Sequence, residues 1–187
     1  MKNLLILIAA LMPFSSLLAQ REYLPTEEDL KHFANTKTYV VLNRNPLSDY
    51  NFEIQDAIKK YWNITEYEFM QMSDFEEKSK DENASFLYLA TVSFEKDKSQ
   101  TRYNFLCLSL GGDHLALDDM KDIANIPLSF HGVDEDSYAY KLGTFIVFLQ
   151  NHVRFITANP GKVSRDVYKH YNDNMSAIKG KTLYFIE

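Results

Sequence analysis

The chain is almost without cysteine. Cys107 is the only one among 187 residues, so no intramolecular disulfide can form and the fold has to be held by its core. That thiol sits inside the apolar run Tyr103 to Leu110, with nothing nearby built to lower its pKa. It reads as a small buried hydrophobe on a strand, not as a nucleophile. Beyond residue 19 no apolar stretch is long enough to cross a bilayer: even Phe145 to Ile156 is interrupted by Gln150, Asn151, His152 and Arg154. An excess of basic charge is missing as well. Twenty Lys and Arg stand against 26 Asp and Glu, a net charge of −6, which argues against nucleic acid and anionic membrane surfaces as partners. The densest basic stretch, Lys96 to Arg102, is mixed in sign and reads as a solvated hairpin. The chain has no G-x-S-x-G elbow, H-E-x-x-H pair, P-loop or dinucleotide fingerprint. The sequence therefore leans away from an enzyme and implies no cofactor.

What is present begins with the three-part pattern of a signal peptide. Lys2 supplies the positive start, Leu4 to Met12 the apolar region, and Ser15 to Ala19 the small-residue approach to a cut between Ala19 and Gln20. The run breaks at Pro13 after about half the length of a membrane helix. The expectation is an exported protein, periplasmic or extracellular, and not a lipoprotein, because Gln20 rather than Cys follows the cut. Removing residues 1–19 leaves 168 residues and takes Lys2 with it, so the mature net charge is −7. That length makes one domain able to bury roughly two-thirds of its surface. We expect an N-terminal arm over 20–36, with Thr26 to Asp29 opening a short helix, and a single domain over 37–187.

Within that domain Thr38 to Leu42 predicts an interior strand. Ser48 or Asp49 opens a helix that carries Tyr50, Ile54, Ala57, Ile58, Tyr61 and Trp62 on one face. Glu66 to Met72 reads as a strand, and Ser73 with Glu76 as a capping box for a short helix. Ser85 to Glu95 and Thr101 to Leu110 predict an antiparallel hairpin, about 85–110, with the first strand apolar on both faces early and alternating later. A short helix is expected over Leu115 to Ala124, and an edge strand over Ile126 to His131 because Pro127 cannot donate to a ladder. Asp134 to Ser137 caps the strongest helix, along which Tyr138, Leu142, Phe145, Ile146, Leu149, His152, Val153 and Ile156 keep phase. Ser164 to Ile178 predicts a last helix, with Val167, Tyr168, Tyr171 and Met175 inward, and Thr182 to Ile186 a terminal strand. The fold class is α/β, a mixed sheet with helices on its faces. In element order from Lys37 to Ile156 the chain resembles the α/β domains of bacterial envelope proteins such as the curli-secretion lipoprotein family or the amino-terminal domain of the TolB translocation protein. No motif residue is shared, and the resemblance carries over no function.

One polar cluster could carry chemistry. Asp113, His114, Asp118 and Asp119 follow Gly111 and Gly112 at a strand end, where an α/β protein can hold a metal or a general base. The simpler reading is a glycine turn followed by carboxylates at a helix start. Asp134, Glu135 and Asp136 likewise read as N-capping residues, and His152 as a core or boundary imidazole. His32, His131 and His170 have no partner at informative spacing. Phe148 and Phe155 give the long helix a second apolar strip, either covered or offered to a partner. The leading expectation is thus a non-catalytic module that binds another envelope protein or itself, through a sheet edge or through Phe148 and Phe155. The alternatives are a metal-dependent hydrolase built on the Asp113 cluster and a ligand pocket lined by Tyr88, Tyr103 and Tyr140.

Overall fold

The computed structural model describes residues 24–94, 97–114, 116–163 and 169–182. Helices α1 (Glu27–Phe33), α2 (Asp49–Tyr61) and α3 (Met72–Lys78) alternate with strands β1 (Lys37–Leu42), β2 (Glu66–Gln71) and β3 (Ala84–Ser93). Strands β4 (Arg102–Leu110) and β5 (Lys121–Phe130) follow, then helices α4 (Asp136–Ala139), α5 (Leu142–Ala158) and α6 (Lys169–Asp173). One five-stranded sheet has the order β2-β1-β3-β4-β5. β1 is parallel to β2 and β3, whereas β3, β4 and β5 are antiparallel neighbours. Because β2 and β3 lie on opposite sides of β1, right-handed crossovers place α2 and α3 on opposite faces of the sheet.

The main core lies on the α2 face. There Val40, Leu42, Leu87, Leu106 and Leu108 meet Ile54 and Ile58 of α2 and Leu142, Ile146 and Leu149 of α5. Leu30 and Phe33 of α1 enter the same core, so the stretch before Lys37 contributes to it. On the other face Phe75 of α3 packs on Val41, Ala84, Phe86 and Met120. The expected change in patterning along β3 is explained by this arrangement. Ala84 to Leu87 are buried between two layers, whereas Tyr88 to Ser93 are half-buried or exposed.

Several local readings are corrected. The short helix expected over Leu115 to Ala124 is a 3-10 turn, Leu117–Asp119, followed by the start of β5. Two β-bulges misled the periodicity. Ile123 and Leu128 are extra residues in the β5 register, so Ile123 and Ala124 sit side by side on the core face instead of alternating. The capping box at Ser73 does not form: α3 starts at Met72, directly after β2, and Ser73 bonds to Asp74 instead. The long helix is two helices, separated by Tyr140 and Lys141. Their backbone angles stay helical, at φ −60° and −87°, so the apolar stripe keeps phase across the break. Of the expected last helix, the described residues form α6 and a 3-10 turn at Met175–Ile178, and Met175 is exposed. Val167, Tyr168 and most of the terminal strand lie outside the described residues.

The acidic group before α4 caps a different helix from the one expected. The Glu135 carboxylate accepts from the Ser48 hydroxyl at 2.6 Å, the Tyr50 backbone N–H at 3.2 Å and the Asn43 amide at 3.0 Å. It thereby serves the N-terminus of α2, where a negative charge is favoured, and ties α2 to the segment leading into α5. At the other end of α2, buried Gln150 of α5 donates to Tyr61 O at 2.8 Å and accepts from Asn63 N at 2.8 Å. The chain thus satisfies both ends of α2 with side chains distant in sequence. One polar group in this region is left over. The Tyr50 hydroxyl is fully buried without a hydrogen-bond partner, and burial pushes its phenol far above the ordinary range.

Glu135→Ala should lower the unfolding free energy by about 1–2 kcal/mol, read as a reduced urea midpoint at unchanged slope. Tyr50→Phe removes an unsatisfied group and should raise stability, by about 1 kcal/mol. A loss in thermal melts of the Phe variant would show that the hydroxyl has a partner after all.

Candidate functional site

The loop after β4 owes its shape to its glycines. A side chain on Gly111 would put a Cβ 2.3 Å from the Asp81 carbonyl oxygen, and Gly112 adopts φ +136°. The close approach lets Gly111 N bond to Ala84 O at 2.9 Å and Gly112 N to Ser79 O at 3.0 Å. The loop is thereby laid against the end of α3. It forms one wall of a shallow cleft of about 300 Å³ lined by Asp29, His32, Glu82, Asp113, His114, Asp119 and Lys121. Three of the four sequence candidates, Asp113, His114 and Asp119, therefore do share a surface. Asp118 is not among the lining residues.

The polar atoms of this cleft are largely committed to one another. His114 Nδ1 donates to Gly112 O at 2.8 Å, while Nε2 faces the buried Ser79 hydroxyl at 3.1 Å. His32 Nε2 donates to Glu82 O at 2.6 Å. The Asp119 carboxylate accepts from Ala116 N at 3.2 Å, closing the 3-10 turn. Lys121 Nζ donates to Asp29 at 2.8 Å. Partial burial raises the Asp29 carboxyl, but the bonds from Lys121 and Thr26 outweigh it and hold the group below the usual carboxylate range. Among the described residues no three His, Cys, Asp or Glu side chains converge as a metal-binding group. As arranged, the cleft fastens α1, α3, β4 and β5 to one another.

Cys107 is buried on the opposite sheet face from the main core. Burial, with the Asp122 carboxylate, pushes its thiol up to about 12, as expected for a thiol without nucleophilic character. His152 is half-buried on α5, and its Nδ1 accepts from the Tyr171 hydroxyl at 2.8 Å. The three tyrosines considered as a pocket lining do not meet. Tyr88 and Tyr103 project from the β3–β4 hairpin on the α3 face, whereas Tyr140 is exposed beside α4, on the other side of the sheet.

Two apolar surfaces remain. On α5, Phe148 lies 5.3 Å from the Tyr171 ring and Phe155 3.8 Å from the His170 ring, so α6 already covers part of the strip that the sequence reading offered to a partner. The second surface lies on the α3 face of the sheet, beyond the reach of α3. Phe94 is 52% exposed and Phe130 60% exposed. Their rings flank Tyr103 at 5.6 and 5.3 Å, and Phe94 lies 6.2 Å from Phe105. The signal for this cluster was present in the alternation of Tyr103, Phe105 and Cys107 along β4. Phe130 joins it only through the bulges in β5, which no sequence period reveals. The chain matches no family model, no curated protein and no solved structure.

His114→Ala removes the link between the glycine loop and Ser79. The expected cost is about 1 kcal/mol, measured by chemical denaturation, and a variant as stable as the wild type would show that the ring does not fasten the loop.

Proposed function

We propose that this chain is an exported, non-catalytic binding module that pairs with a second copy of itself through the aromatic face of β3, β4 and β5. The observation that carries the reading is the contiguity of Phe94, Tyr103, Phe105 and Phe130 on a sheet face that no other element among the described residues covers. Exposed aromatic clusters of this kind are costly in water, and burying a phenylalanine side chain contributes about 1.5–3 kcal/mol. Tyr88, Ala90, Val92, Tyr103, Phe105, Cys107, Asn125 and Pro127 occupy the same face in the strand register. None of them carries a charge at neutral pH, so the net negative charge of the chain does not oppose contact there. The hairpin end is mixed in sign, with Asp97 beside Lys98 and Arg102, and Asp118, Asp119 and Asp122 lie at the other end. The export reading rests on the pattern from Lys2 to Ala19.

Light scattering coupled to size exclusion tests this proposal on the mature chain. The wild type should be a dimer, Phe94→Asp with Phe130→Asp a folded monomer, and Phe148→Asp with Phe155→Asp still a dimer. A monomeric wild type overturns self-pairing and leaves a different exported protein as the occupant. A dimer lost only in the Phe148 and Phe155 pair would move the interface to α5.

A further inference from the structure

The outer strip of α5 carries a device that the sheet-face reading neither uses nor requires. Helix α6 lies over this strip and contributes two rings to it. Tyr171 packs on Phe148 and bonds to His152, and His170 stacks on Phe155. His152 in turn lies parallel to Phe148, at an interplanar angle of 9° and a centroid distance of 6.5 Å. Two imidazoles, one from each helix, are thus placed in a single aromatic cluster.

We propose that α6 is an acid-opened latch over the Phe148–Phe155 strip, closed while the His152 imidazole is neutral and released when it takes a proton. His152 is half-buried, and the ionisable groups that face it are His170 and Tyr171, both from α6. Arg154, on its own helix, turns away to bond Asn63 and Asn151. Among the charged groups of the other elements packed on α5, Lys31 pairs with Glu27, Asp29 with Lys121, Lys59 lies over Phe69, and Asp122 accepts from Ser109.

The direction of the effect follows from His152. Burial, and secondarily the neighbouring His170, hold its imidazole below the ordinary value of 6.5. A group whose docked value is depressed stabilises docking at a pH above its free value. That contribution is lost as pH falls below about 6.5 and through the docked value. The described residues of α6, Lys169–Asp173, meet α5 through these ring contacts.

Hydrogen exchange followed by mass spectrometry at pH 7.5 and 5.5, corrected for the intrinsic pH dependence of exchange, tests the latch on the whole mature chain. Protection over Lys169 to Asp173 should fall several-fold at pH 5.5 while β3 and β4 stay protected. In His152→Gln, which keeps an acceptor for Tyr171 and does not titrate, protection should be the same at both values. The midpoint of release in the wild type should coincide with the midpoint of the His152 ring titration, read by proton resonance. Unchanged protection in the wild type, an equal loss in His152→Gln, or midpoints that disagree would each overturn the latch. None of these outcomes bears on the Phe94 and Phe130 interface, which is read by mass at neutral pH.

Discussion

The structure depends on a mismatch of lengths. A five-stranded sheet is about 19 Å wide at the usual strand spacing, and on one side α2 and α5, with 13 and 17 residues, are long enough to cover it. On the other side the only cover among the described residues is α3, whose seven residues make a helix about 10 Å long. Phe75 therefore closes over Val41 and Phe86, and the sheet runs on uncovered beyond them. The switch along β3 from burial on both faces over Ala84 to Leu87 to partial exposure from Tyr88 onward marks the place where α3 ends. Everything distinctive about the surface follows, including the row of aromatic rings that no part of the described chain shields.

Polar groups in this molecule serve mainly to fasten its parts. A chain of buried hydroxyls crosses beneath the starts of β1 and β3. Thr36 bonds to Ser85 at 2.8 Å, Ser85 to Thr38 at 2.8 Å, Thr38 to Thr65 at 2.5 Å, and Trp62 Nε1 donates to Thr65 at 3.0 Å. Networks of this kind are stabilising only when every member is satisfied, and here each hydroxyl has a partner. Glu135 and Gln150 do for α2 what local capping residues usually do. Asp29 is at once a capping-box residue of α1 and the partner of Lys121 on β5. With no disulfide available, these long-range bonds supplement the apolar core in fixing the register of helices on the sheet.

The elements legible in the sequence were those whose burial is uniform along their length. β1 and α2 each keep a constant relation to the core, and their apolar residues recur with a clean period. The hairpin was legible for the same reason, with turn chemistry between two apolar runs. Readings failed where an irregularity displaced the pattern. The bulges at Ile123 and Leu128 gave β5 adjacent apolar residues that imitate a helical face. Ser73 and Glu76 have capping-box spacing, but β2 runs straight into α3, so Gln71 takes the cap position and Ser73 falls inside the helix. Of the candidate site, sequence proximity brought Asp113, His114 and Asp119 to one cleft. It could not show that Asp29, His32, Glu82 and Lys121 complete it, because those residues come from three other elements joined only by the fold.

The same irregularities bear on how such a surface can be used. A sheet with two free edges invites pairing along them, yet both edges here resist it. β2 carries Glu66 and Glu68 exposed along its length, and β5 is bent by two bulges with Pro127 between them, where no N–H is available to a neighbouring strand. Edge-to-edge growth into a longer sheet is therefore disfavoured by charge on one side and by geometry on the other. The face is different, since its side chains are apolar, uncharged in its interior and already packed ring against ring. Contact through the face is also self-limiting, because it buries the patch in both copies and leaves no equivalent surface for a third.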